Sequence, residues 1–134
     1  MKRWVIPLLI LFPLLSLCLL GGCATVKRPV ISYEIISQEE ALSYMVNDSN
    51  SFILDVRTEE EFAGGHIKGA VLIPHDEIEA KAESVITDKE RLILVYCRSG
   101  RRSKTAAEKL VELGYSNVKE FGGINDWNYE IVTE

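Results

Sequence analysis

Leu92-Ile93-Leu94-Val95-Tyr96-Cys97-Arg98-Ser99-Gly100-Arg101-Arg102-Ser103 decides how this chain is read. Its first five residues are apolar and partly β-branched, the mark of a buried strand. Ser103 opens a stretch with apolar residues at helical spacing that runs to Leu113, with Gly114 as its stop. The residues between form a strand-to-helix loop, and Cys97 heads it.

The surroundings of Cys97 argue for a nucleophile. A short loop containing Gly100 can curl until successive backbone N–H groups converge, and the start of the next helix adds its positive dipole end. Such a nest favours an anion. Arg98, Arg101 and Arg102 lie within five residues of the sulfur, so loop, helix and side chains all favour thiolate over thiol. A cysteine packed as a small hydrophobe at a strand end has no use for a cationic glycine loop.

Outward from the loop, the rest of the chain supplies strands and helices in alternation. Ile31 to Ile36 reads as a short strand, and Ser37-Gln38-Glu39-Glu40 as a capping box that opens a helix to about Asn47. Asp48 to Ser51 is a polar turn, Phe52 to Val56 a buried strand, and Thr58-Glu59-Glu60-Glu61 a second capping box whose short helix Gly64-Gly65 ends. Val71 to Ile73 is a strand that Pro74 breaks, Asp76-Glu77 begins a helix to about Ile86, and Val118 to Phe121 is the last strand. This order predicts an α/β fold with a mostly parallel sheet, helices on both faces, and ligands at the carboxyl ends of the strands. Cys97 and Arg57 both lie at such ends.

The stretch before residue 32 has a different character. Met1-Lys2-Arg3 is a short basic start, Trp4 to Leu20 is an apolar run, and small residues follow, as in a secretory leader. Leu20-Gly21-Gly22-Cys23 resembles the bacterial lipoprotein processing box, which implies cleavage after residue 22 and lipid on Cys23. Residues 23–31 would then tether a domain spanning 32–134, outside the cytoplasm. With Ala24 after the cysteine, the resemblance implies the periplasmic side of an outer membrane in a cell that has one. An uncleaved anchor is the other reading, since about 17 apolar residues is the lower limit for crossing a bilayer. It too leaves the domain outside, because Lys2 and Arg3 stay in.

Loss of the leader sharpens the composition. The full chain of 134 residues carries 15 basic and 20 acidic side chains; without Lys2 and Arg3 there are 13 against 20, and the formal charge goes from −5 to −7. An acidic domain argues against a nucleic-acid partner and makes the arginines beside Cys97 a local exception, which is where anions bind. Of three cysteines, Cys18 would leave and Cys23 would carry lipid, so Cys97 stands without a disulfide partner. That excludes dithiol chemistry and leaves reactions through one sulfur. About 100 residues without an internal repeat make one small domain.

The Cys97 loop resembles the active-site loop of the rhodanese family, the thiosulfate and related sulfurtransferases. Asp55-Val56-Arg57-Thr58 followed by Glu61-Phe62, Gly65-His66-Ile67-Lys68-Gly69-Ala70 with Ile73-Pro74, and Gly122-Gly123 with Trp127 are similar to further motifs of that family, in its order, from about Ser32 to Trp127. The resemblance implies a single three-layer domain that moves a sulfane sulfur from thiosulfate or a similar small anionic donor to a thiol or cyanide, through a persulfide on Cys97. Arg98, Ser99, Gly100, Arg101 and Arg102 would bind the donor, with no metal, no cofactor and no separate base. Asp55, Arg57, Glu61 and His66 are supporting residues: Arg57 is expected to pair with Glu61 across the first turn of its helix, Asp55 to hold loop backbone, and His66 to be a satisfied structural histidine. Trp127 is core or pocket wall.

Two other functions share these tools. Tyrosine-type phosphatases and arsenate-reductase relatives use a thiolate in a longer loop, with an arginine at the sixth place after the cysteine. Here the sixth place is Ser103 and Arg102 stands fifth, a smaller cradle that suits one sulfur atom. A non-catalytic tethered module that binds sulfur species is the third reading. After Trp127, Asn128-Tyr129-Glu130-Ile131 departs from the family pattern and bears on one pocket wall.

Overall fold

The computed structural model describes residues 32–133; the leader, the processing box and Cys23 lie outside the described residues. Among the described residues no helix is long and apolar enough to cross a membrane. The chain order is β1 (Glu34–Ile35), α1 (Gln38–Asn47), β2 (Phe52–Asp55), α2 (Glu59–Ala63), β3 (His66–Ile67), β4 (Val71–Leu72), α3 (Ile78–Val85), β5 (Ile93–Cys97), α4 (Arg101–Glu112), β6 (Val118–Gly123), a 3-10 turn (Ile124–Asp126) and β7 (Ile131–Val132).

Five strands form one parallel sheet in the order β1-β6-β5-β2-β4, with β5 at its centre. Alternation along β5 divides the core. Ile93, Val95 and Cys97 face the layer of α3 and α4 together with Ile78, Ala82, Ala106 and Leu110. Leu94 and Tyr96 face the other layer with Ala41 of α1, Ile67 and Phe121. All five β5 residues are buried, and at about 1.5–3 kcal/mol for each large apolar side chain this strand anchors the sheet. The expected α/β architecture is what the structure has.

Both expected capping boxes are present, at Ser37 with Glu40 and at Thr58 with Glu61. The helix after the cysteine begins at Arg101, two residues earlier than its apolar spacing suggests. Gly100 makes the turn in a left-handed conformation, φ 101°, and Ser103 points inward instead of capping. Beyond the expected elements, β3 and β7 pair antiparallel, so the tail after Trp127 returns to cover one edge of the site. Tyr129 packs edge-on against Trp127, centroids 4.9 Å apart, and Trp127 packs on Phe121 of the core.

Candidate active site

Cys97 ends β5 and its side chain is fully buried. Gly100 N–H donates to Sγ at 3.1 Å, and the thiol donates to Ser103 Oγ at 3.3 Å. Burial pushes the thiol pKa up, but the Ser103 hydroxyl and the N–H groups of Ser103, Gly100 and Ser99 outweigh it, so the net shift is downward. These donors belong to the loop and to the first turn of α4. The arginines are not among the principal causes, which moves the weight of the expectation from arginine charge to hydrogen-bond donors, the Ser103 hydroxyl first and the backbone amides after it.

The loop is held from β6. A bulge between Val95 and Cys97 shifts the pairing so that Cys97 sits opposite Gly123. Arg98 carbonyl crosses directly over Gly123, where a β-carbon would fall 2.1 Å from the oxygen, so only glycine fits there. Asn125 N–H donates to the same carbonyl at 3.2 Å.

The three arginines have separate surroundings. Arg102 forms a two-point ion pair with Glu61, Nη1 to Oε2 at 2.8 Å and Nη2 to Oε1 at 2.9 Å. Arg98 lines a cavity of about 380 Å³ together with Arg57, Glu60, Glu61, Gly65 and Asn125. Arg101 is exposed on the first turn of α4 and is not part of that lining, nor is the buried Cys97.

The expected Arg57–Glu61 pair does not form. Arg57 turns back to Asp55, with Nη2 to Oδ2 at 2.7 Å, and donates to Gly65 carbonyl at 2.7 Å. Glu61 instead takes Arg102, while its Oε2 still accepts Thr58 N–H at 2.9 Å. The reason is depth: Arg57 is buried beside a buried carboxylate, whereas Glu61 sits part-exposed over the cysteine loop. Arg102 holds the Glu61 carboxyl far below its ordinary range, at about 2.

Asp55 serves more than loop backbone. It accepts Arg57 N–H at 2.9 Å and the Tyr96 hydroxyl at 2.6 Å, and Tyr96 oxygen in turn accepts Ile67 N–H at 3.1 Å. Burial and the Asp55 charge push the Tyr96 phenol up, so it stays a donor. His66 Nδ1 lies 2.9 Å from Phe62 carbonyl, and its ring stacks on Phe62 at 3.7 Å. Asp55, Arg57, Tyr96 and His66 thus join β2, β5 and β3 beneath the cavity wall.

Two residues of the site escape a reading for motifs. Ser103 contacts the sulfur although its position suggests a helix opener. Glu120, a buried acid on β6, accepts the Ser103 hydroxyl at 2.6 Å and Gly122 N–H at 2.9 Å. Its signal in the sequence is a charge two residues after Val118, on the inward phase of a strand.

A family model described as "Rhodanese-like domain" matches residues 37–130. The chain is 38% identical over 73 residues to the thiosulfate sulfurtransferase PspE of Escherichia coli, covering 54% of this chain and 70% of that protein. It is 37% identical over 90 residues to a sulfurtransferase of Allochromatium vinosum, covering 66% of this chain and 82% of the relative. A solved rhodanese with anions from E. coli superposes with a TM-score of 0.59 at 34% identity, over 63% of this chain and 99% of that one. These relatives support a sulfurtransferase. With the parallel sheet and the cysteine loop at the end of its central strand, the match over residues 37–130 means that this chain belongs to the rhodanese-like domain family.

Proposed function

We propose that the protein transfers a sulfane sulfur by double displacement at Cys97. The thiolate attacks the outer sulfur of thiosulfate or a similar anionic donor; the donor's S–S bond breaks, sulfite leaves with the electron pair, and Cys97 holds a persulfide. A thiol or cyanide then attacks the terminal sulfur and the thiolate returns. The observation that carries this reading is the convergence of Gly100 N–H and the Ser103 hydroxyl on one buried sulfur, a nest for a thiolate and the sulfur it acquires. Arg98, which lines the adjacent cavity, supplies positive charge on the donor's path, while the charge of Arg57 is taken up by Asp55.

The phosphatase alternative loses its main tool, because both terminal nitrogens of Arg102 are engaged by Glu61 and no arginine stands at the sixth place. Mixing the protein with thiosulfate tests the three readings together. Sulfur transfer gives a burst of sulfite of about one per chain in the first turnover. Hydrolysis of an aryl phosphate without that burst supports the phosphatase, and neither activity supports a binding module.

The leader reading completes the proposal. Leu20-Gly21-Gly22-Cys23 supports lipid on Cys23 and a domain tethered to the outer side of a membrane.

A further inference from the structure

Glu120 is a buried carboxyl, 1% exposed, that the double displacement leaves without a task. Among the described residues no cation pairs with it; its partners are Ser103 hydroxyl at 2.6 Å and Gly122 N–H at 2.9 Å, both on Oε1. Burying a carboxyl this way is costly unless the protein uses it or satisfies it fully.

Ser103 explains the use. Its one hydroxyl proton has four acceptors in reach: Glu120 Oε1 at 2.6 Å, Gly100 carbonyl at 3.0 Å, Cys97 Sγ at 3.3 Å and Gly122 carbonyl at 3.4 Å. While Cys97 is a thiol, the chain of donors runs one way, from S–H to Ser103 Oγ and from Ser103 O–H to Glu120. A thiolate needs the same hydroxyl turned toward sulfur. Both arrangements can be good only if the proton on Glu120 changes with the proton on Cys97.

We infer that Glu120 is the proton acceptor for Cys97, acting through Ser103. As the thiol ionises, its proton passes to Ser103 Oγ while the proton of Ser103 passes to Glu120 Oε1; the site keeps one negative charge, which moves from carboxylate to sulfur. When the cycle closes, the thiolate regains the proton by the reverse path. Glu120 is therefore a positioning residue, since it never touches the donor. The other ionisable groups about it are few. Lys104 of α4 and Asp126 of the 3-10 turn line a cleft with Glu120, Gln38 brings a neutral amide from α1, and Tyr33, ahead of β1, feels both Glu108 and Glu120.

The inference rests on Cys97 being the nucleophile proposed above, and alkylation of Cys97 against pH tests it without any sulfur donor. Internal transfer between two groups of one site does not depend on bulk pH, so the wild-type alkylation rate should hold a plateau before rising again as pH increases. In Glu120→Gln the store for the proton is gone; the plateau should vanish, leaving one sigmoid that falls about tenfold per pH unit on its acid side. Ser103→Ala, with Glu120 intact, should lose the plateau equally, and thermal melts identify any variant that fails to fold. A wild-type profile that is one sigmoid overturns the inference, and so does a plateau that survives in a folded Glu120→Gln or Ser103→Ala. Failure of the sulfur-transfer reading shows itself separately, as the absence of sulfite release by the wild type.

Discussion

Arg98 carbonyl occupies the space where a side chain on Gly123 would begin, 2.1 Å from an ideal β-carbon, so the cysteine loop and β6 lie backbone against backbone. The contact fixes the height of the loop above Cys97, and no flexible atom is present to yield. Gly123→Ala should therefore move the loop bodily. We expect a loss of about 3 kcal/mol in stability and a larger proportional loss of sulfur transfer, measured by denaturant unfolding and by turnover on the same preparation.

Gly100 acts through its dihedral angle rather than through space. Its φ of 101° is unfavourable for a β-branched residue, while the nearest atoms to an added β-carbon are at an ordinary 3.5 Å. Gly100→Val should strain the turn by about 1–3 kcal/mol and pull its N–H off Sγ. The alkylation profile of Cys97 should then move to higher pH, and persulfide formation should slow. Arg101→Ala, by contrast, removes an exposed charge and should leave that profile nearly in place.

The Arg102–Glu61 pair joins α4 to α2 and gives a pH dependence whose sign is definite. The folded carboxyl titrates at about 2 against an ordinary 4.5, so it contributes stability that is complete above the unfolded value and lost as pH falls through that window. Because both partners are part-exposed, the contribution at neutral pH is about 1 kcal/mol. Glu61→Gln, which keeps a capping oxygen at the third position of α2, should be less stable by that amount at neutral pH. The difference should close as pH drops from about 4.5 toward about 2. Parallel melting curves of the two proteins across that range check it.

The proposed lipid on Cys23 makes an independent prediction. Labelled fatty acid should be found on the wild-type protein in bacteria and absent from Cys23→Ala, with the wild type in the membrane fraction. A labelled protein that keeps its label in Cys23→Ala contradicts the assignment of the lipid to that residue.

Much of the fold was legible because its signals are local. Five consecutive apolar residues can only be buried, which announces β5, and a hydroxyl three residues before a glutamate reads as a cap at Ser37 and Thr58 because both partners lie within one turn. The departures arise where an interaction spans sequence. Glu61 offered Arg57 at close spacing, yet its true partner Arg102 is 41 residues away. β3 and β7 have two residues each, too few for any period, and exist because each supplies the other's hydrogen bonds. Ser103 carries the residue type of a helix cap, and only its nearness to Sγ and Glu120 shows another use. Cys97 is singled out in the sequence by its glycine loop and basic neighbours, although those arginines matter less to its ionisation than the Ser103 hydroxyl and the amides about the sulfur.

The central claim is that sulfur passes through Cys97. Protein treated with thiosulfate, freed of it and digested should carry the added mass of one sulfur atom on the peptide containing Cys97, and cyanide should remove that sulfur as thiocyanate, about one per chain. Cys97→Ser should acquire no sulfur and release no thiocyanate. An adduct on another residue, or transfer that persists in the folded serine variant, would contradict the account.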